Sequence, residues 1–186
     1  MIKNKIIKLC KKAGSFTLHY DSSRQIQWLS NGFAIYPLQG CPIFDEENFF
    51  TTFDIDVSSS LLTILPDLPK GFDFNDGNNL EVEVTRLGLT ILDESTDIVA
   101  FKTEYGIELF ERSCFSPFGD YSKNDLQYFI RHAGKTPYLV VKNGFMLIGI
   151  ILPKKIIDKQ LVDDVKNFAK QLEVTFYNKS EELENG

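Results

Sequence analysis

Apolar and polar positions along this chain repeat at two spacings, one suited to strands and one to helices. Thr136–Pro153 reads TPYLVVKNGFMLIGIILP: Val140 and Val141 lead into Asn143-Gly144, and Phe145–Leu152 follows without a charge. Asn-Gly between two apolar runs predicts a β-hairpin, because both residues tolerate φ > 0 and the tight turn matches strand twist. The uncharged second run predicts a strand buried on both faces, at the centre of a sheet covered by helices. Ser15–Tyr20 alternates Phe16, Leu18 and Tyr20 with polar residues, which predicts a half-exposed strand. Gln25–Leu29 and Phe33–Tyr36 continue it as a meander, with turns at Asp21-Ser22-Ser23 and Ser30-Asn31-Gly32. Further strands are expected at Leu61–Leu65, Leu80–Thr85, Leu87–Leu92, Ile98–Thr103 and Leu126–His132. Leu80, Val82 and Val84 share the apolar face of their strand.

Helical spacing is found at both ends. Ile2, Ile6, Leu9, Cys10 and Ala13 form one face of a helix over Ile2–Ala13, which Gly14 terminates. Asp45 reads as an N-cap, with Glu46 and Glu47 in the first turn and Phe49, Phe50 and Phe53 on the buried side. Lys155–Leu172 carries the stripe Ile156, Leu161, Val165, Phe168, Ala169 and Leu172. Val174–Tyr177 is expected as a last strand and Lys179–Gly186 as an acidic tail. Tyr105–Arg112 fits either a helix or a strand, and Cys114–Asn124 reads as a loop. Together these elements predict an α+β fold: mainly antiparallel sheet with three or four helices.

Leu65–Asn79 is a long irregular connection. It divides the chain into an N-terminal helix-plus-meander half, 1–79, and a C-terminal sheet half with its terminal helix, 80–186; a single domain is the alternative. Trp28–Ile35 (WLSNGFAI) echoes Val140–Leu147 (VVKNGFML), as two similar halves would. Asn-Gly turns recur in any β-rich chain, and the loops around the two copies differ in length, so turn chemistry is the favoured account and two similar helix-plus-meander halves the alternative.

Composition narrows the class. A 43% hydrophobic content over 186 residues suffices for a substantial core. Sixteen Phe and seven Tyr exclude a disordered chain. No apolar run reaches the ~18 residues a membrane helix needs. The N-terminus has neither the apolar core nor the cleavage site of a secretory signal, so a cytoplasmic location is expected. Cys10, Cys41 and Cys114 are odd in number and form no CxxC pair, which fits a reducing compartment and no metal site.

Charge changes the picture most. Net charge is −6, yet residues 1–20 hold Lys3, Lys5, Lys8, Lys11 and Lys12 and no acid. The rest has 20 − 5 = 15 basic against 26 acidic residues, a balance of −11. The five lysines read either as a solvated face or as a DNA-binding helix meeting phosphates. Catalytic patterns are thin. There is no GxSxG, GxxxxGK[ST] or GxGxxG, and no cofactor is expected. His19, near Asp21, Ser22 and Ser23, reads as a surface histidine beside a turn. Cys114 with His132, or a site based on His19, is the alternative reading as a small hydrolase. Asp73, Asn75, Asp76 and Gly77 imitate a calcium loop, but Gly77 is fifth and the twelfth residue is Val84, so an Asp-Gly turn suffices.

Gln27–Ile55 (QWLSNGFAIYPLQGCPIFDEENFFTTFDI) resembles uncharacterised proteins of phage and mobile elements in Gram-positive gut bacteria, a family that brings no activity. Phe101–Pro153 is similar in outline to a DNA sliding clamp, with TPYLVVKNGFMLIGIILP closing the unit. That resemblance implies a non-enzymatic ring of repeated helix-and-sheet units whose basic helices face DNA. Glu108 and Glu111 depart from the outline, and it transfers no individual functional residue. The resulting expectation is a non-catalytic binding or assembly protein of a phage-like element. Its partners would be DNA through Lys3, Lys5, Lys8, Lys11 and Lys12, and copies of itself or other proteins, with no membrane.

Overall fold

A computed structural model describes residues 2–58, 60–93, 96–104, 106–122, 125–154, 163, 164 and 167. Within the helix expected at Lys155–Leu172, Asp163, Asp164 and Asn167 are helical. The rest of that segment, Val174–Tyr177 and the tail lie outside the described residues. In order, the elements are α1 (Ile2–Ala13), β1 (Ser15–Asp21), β2 (Ile26–Ser30), β3 (Ala34–Pro37), α2 (Glu46–Phe53), β4 (Leu61–Leu65), β5 (Val82–Glu83), β6 (Thr85–Asp93), β7 (Thr96–Thr103), β8 (Gly106–Glu111), a 3-10 helix (Arg112–Asp120), β9 (Leu126–Ala133), β10 (Thr136–Asn143) and β11 (Met146–Ile151). The fold is α+β and mainly antiparallel, as the periodicities predict. Within the span Tyr105–Arg112, Gly106–Glu111 form strand β8, and the loop expected over Cys114–Asn124 is largely the 3-10 helix.

Among the described residues the strands form an eight-stranded sheet, β4-β1-β2-β3-β11-β10-β9-β5, and a three-stranded sheet, β6-β7-β8. The large sheet draws strands from both sides of Asn79. Two antiparallel meanders, β1-β2-β3 and β9-β10-β11, meet where β3 pairs antiparallel with β11 through Ile35↔Ile150 and Ala34↔Ile151. Leu152 N donates to Phe33 O at 2.8 Å and extends that seam. The two units superimpose in sequence with an offset of 143 − 31 = 112. The offset carries Leu18 to Ile130, Leu29 to Val141 and Tyr36 to Ile148, all in the core on one face. It also carries Trp28 to Val140 and Ile35 to Leu147, all in the core on the other. The echo therefore extends beyond turn chemistry: it repeats which face each side chain takes, because a strand alternates its side chains in step with its position.

α1, α2, the 3-10 helix and the small sheet cover the first face. α1 buries Ile6, Ile7 and Cys10, with Leu9 packed beside them, while Ala13 is exposed. The buried stripe is thus rotated from the expected one, since Ile7 replaces Ala13. Asp45 accepts from Asn48 N at 2.8 Å and caps α2, which ends at Asp54 in the left-handed region. Phe49 and Phe50 pack edge-on and tilted against Phe16 and Phe44. In β11 the register passes from Val141↔Gly149 to Lys142↔Leu147 and leaves Ile148 unpaired, a β-bulge. The Phe118 ring occupies the space where Gly149 would carry a side chain.

Phe72, Phe74 and Leu68, from the connection before β5, pack on the second face. Phe74 meets Trp28 at 4.9 Å and Phe72 meets Tyr138 at 5.0 Å. Irregular backbone lying on a core needs partners for its carbonyls. Arg131, 2% exposed, supplies them to Asp73 O (2.9 Å), Asn75 O (2.7 Å) and Asp76 O (3.3 Å), and it pairs with Glu81 at 2.5 Å. Lys142 Nζ also pairs with Glu81 and lies over the Phe129 ring. Arg24 Nη1 donates to Phe74 O at 2.7 Å, and Asp76 Oδ1 accepts from Leu147 N at 2.8 Å.

The structure departs from the expected pattern in two places, and these anchors explain the first. The strand predicted over Leu80–Thr85 pairs with β9 only at Val82–Glu83, and Leu80 is 87% exposed. Glu81 answers the buried cations of Arg131 and Lys142, so the charge takes the sheltered position that the apolar alternation assigned to leucine. At the Asn143-Gly144 turn, Phe145 is 94% exposed and Met146 about half exposed, while Leu147–Ile151 are buried as expected.

Two substitutions test this packing. A Cβ at residue 149 would lie 2.5 Å from Phe118 Cζ, so Gly149→Ala should cost about 1–3 kcal/mol in urea unfolding, and Phe118→Leu in that background should recover part of it. Arg131→Met should cost about 3–5 kcal/mol because it leaves three carbonyls without their donor and removes one of the two buried cations that answer Glu81. Glu81→Met added to Arg131→Met should deepen the loss, because the buried Lys142 then loses the carboxylate it pairs with.

Candidate nucleic-acid interface

A helix turns 3.6 residues per cycle, so Lys5, Lys8 and Lys12, spaced i, i+3 and i+7, share one ridge of α1. That ridge lies opposite Ile6 and Cys10, which hold the helix on the core. Lys8 and Lys12 are exposed and Lys5 is half-buried. Among the described residues neither Lys8 nor Lys12 has a carboxylate within ion-pair distance. Lys11, also exposed, points elsewhere: its Nζ donates to Asp54 O at 2.5 Å and satisfies a carbonyl at the end of α2, where a cation is favoured. The backbone of Lys3 belongs to α1, and its side chain lies outside the described residues. The five lysines therefore do not act as one set.

Lys12 also stands at the mouth of a cleft of about 880 Å³. Arg86 and Thr90 of β6, together with Arg112, Ser113 and Ser116 of the 3-10 helix, line its other walls. Arg112 pairs with Asp97 at 3.3 Å, both half-exposed. Glu111 accepts from Ser113 Oγ at 2.5 Å. Arg86 lies 5.5 Å from the centre of the Phe115 ring. Arg86 and Arg112 were not candidates from the sequence. They sit on a strand and a turn far from α1 along the chain, and nothing in their local pattern sets them apart from other surface cations.

The catalytic alternatives are arranged differently. Cys114 is buried, and its thiol is pushed up to about 12, first by burial and then by the charge of Glu111. Cys10 is likewise pushed up to about 12 by burial. Since the thiolate is the nucleophile, both are packing groups at neutral pH. His132 is exposed on β9, beside a cavity of about 260 Å³ lined also by Thr103, Glu108, Lys135 and Pro137; Cys114 is not in its wall. His19 is not the surface residue expected. It is 7% exposed, and its Nδ1 is 3.3 Å from Asp67 O, because the connection after β4 folds over that end of β1. A carbonyl only accepts, so Nδ1 carries the proton. Asp21 is engaged by Ser23 N, Ser23 Oγ and Arg24 N at 3.0, 2.6 and 3.2 Å. Burial disfavours its charge, but those hydrogen bonds and Arg24 together lower its pKa. His19 and Asp21 thus hold turns in place.

Among the described residues no cluster of three His, Cys, Asp or Glu side chains is placed to hold a metal ion. No described helix is long and apolar enough to cross a membrane. Comparison with family models, with curated proteins and with solved structures gives no match to this chain.

His19 yields a pH prediction with a definite sign. Burial lowers its pKa from the ordinary 6.5, while the bond to Asp67 O opposes that shift more weakly. The folded state thus favours the neutral ring, so the contribution is fully present above 6.5 and declines as pH falls below it. Urea unfolding from pH 8 to pH 5 should show that decline, and His19→Gln should flatten it. Asp21 and Asp73, whose pKa values lie below 3.8, affect a separate and more acidic range.

Proposed function

We propose that this chain is a non-catalytic binding or assembly protein that meets DNA through α1. The carrying observation is the ridge Lys5, Lys8 and Lys12, set opposite the buried stripe of a helix on an otherwise acidic chain. A helix with its apolar side packed on a core presents its cations at a fixed spacing, which suits the regular charge of a phosphate backbone. The net negative charge elsewhere restricts polyanion contact to that side. The sharpest form of this reading is clamp-like. Two meanders joined in one sheet support it, as does the outline similarity of Phe101–Pro153 to sliding clamps. In that form the chain assembles with copies of itself or with other proteins, and it serves a phage-like element. The protonated, buried thiol of Cys114 gives the hydrolase alternative no comparable support.

Fluorescence anisotropy with a labelled duplex tests the reading. Affinity should fall with salt, and the combined change Lys5→Glu, Lys8→Glu and Lys12→Glu should weaken binding at least ~10-fold and reduce the log–log salt slope by roughly 2 to 3. Lys11→Gln should have a smaller effect on DNA, since Lys11 already serves α2. Unchanged affinity in the triple variant, with fold confirmed by circular dichroism, would reject the proposal.

A further inference from the structure

We infer that the cleft between the last turn of α1, strands β6 and β7 and the start of the 3-10 helix is a binding site for a phosphate-bearing molecule of nucleotide size. This goes beyond DNA binding along α1 and shares only Lys12 with it. The cleft forms where the small sheet is irregular. Between Arg86↔Phe101 and Thr90↔Val99, β6 advances 90 − 86 = 4 residues while β7 advances 101 − 99 = 2. The extra residues leave the ladder, and Leu87 and Gly88 join the wall of the cleft. At about 880 Å³ it falls in the range of small-molecule sites, which run from roughly 300 to 1,000 Å³.

Three cations of different reach face this space: Lys12, Arg86 and Arg112. Lys12 and Arg86 have no ion-pair partner among the described residues. The guanidinium of Arg86 lies over the Phe115 ring, 5.5 Å from its centre, a contact that favours one placement of it before any ligand arrives. A guanidinium fork matches two phosphate oxygens, and Lys12 adds a point charge. The hydroxyls of Thr90, Thr96, Ser113 and Ser116 are further donors around the same space. The two acids that line the cleft among the described residues are occupied: Asp97 answers Arg112, and Glu111 accepts from Ser113. The remaining imbalance favours an anion, and the mixture of donors and carboxylate acceptors suits a ligand carrying both phosphate and sugar hydroxyls.

The phosphate has two sources to distinguish, a free nucleotide and the 5′ end of a nucleic acid. Calorimetric titration of the full chain with inorganic pyrophosphate, ADP, and a 5′-phosphorylated against a 5′-hydroxyl oligonucleotide separates them. We expect saturable pyrophosphate binding with a Kd below about 1 mM. Arg86→Gln should weaken it ~10-fold and Arg112→Gln should weaken it measurably, whereas Arg86→Lys should retain part of it. Preference for ADP identifies the free nucleotide; preference for the 5′-phosphorylated strand, lost in Arg86→Gln, identifies the strand end. Lys8→Glu should leave pyrophosphate binding intact while weakening duplex DNA, so failure of either proposal is visible without the other. Absence of saturable binding for every probe overturns the inference, as does wild-type affinity in both Arg86→Gln and Arg112→Gln. If Arg86→Gln lowers Tm, the exposed Arg112→Gln variant decides.

Discussion

The antiparallel contact of β3 with β11 is the constraint from which the remaining architecture follows. It is short, Ile35 with Ile150 and Ala34 with Ile151, yet it converts two meanders into one sheet. A sheet whose strands are apolar toward both faces has to be covered on both, since exposure of either would forfeit the burial that stabilises it. Helices and the small sheet cover one face. The other receives the irregular chain between β4 and β5, a segment with no ladder of its own.

Covering a face with irregular backbone raises a second requirement. Each carbonyl taken from water must find a donor, and an unmet one costs about 1–3 kcal/mol. The guanidinium of Arg131 answers three carbonyls and the carboxylates of Glu81 and Asp73 at once, Lys142 shares Glu81, and Arg24 answers Phe74 O. These charges reside in the second layer because the backbone there has no strand neighbour. The same demand explains why Glu81, not Leu80, is drawn inward.

Electrostatics divides the surface along the same lines. The basic segment is anchored by its own apolar stripe, and Lys11 completes the end of α2. Lys8 and Lys12 are left toward solvent, and Lys12 is brought beside Arg86 and Arg112 by the small sheet packing next to the 3-10 helix. A helix of one sign on a body of the other concentrates any attraction for polyanions on one side.

Much of this was legible in the residues alone. The period of Ser15–Tyr20, the Asn-Gly turns and the cap at Asp45 identify strands, hairpins and α2, because each rests on contacts within a few positions. The amphipathic pattern of α1 and its lysine ridge are local in the same sense, and so is the uneven charge. What needed the folded chain were contacts over long separations: the pairing of the two meanders, the burial of His19 beneath Asp67, the inward turn of Glu81, and the meeting of Lys12 with Arg86 and Arg112. Their physical reason is common to all four. Local alternation states that a side chain has a preferred face, but which cation, carbonyl or strand waits on that face is decided only when distant segments compete for the same buried space.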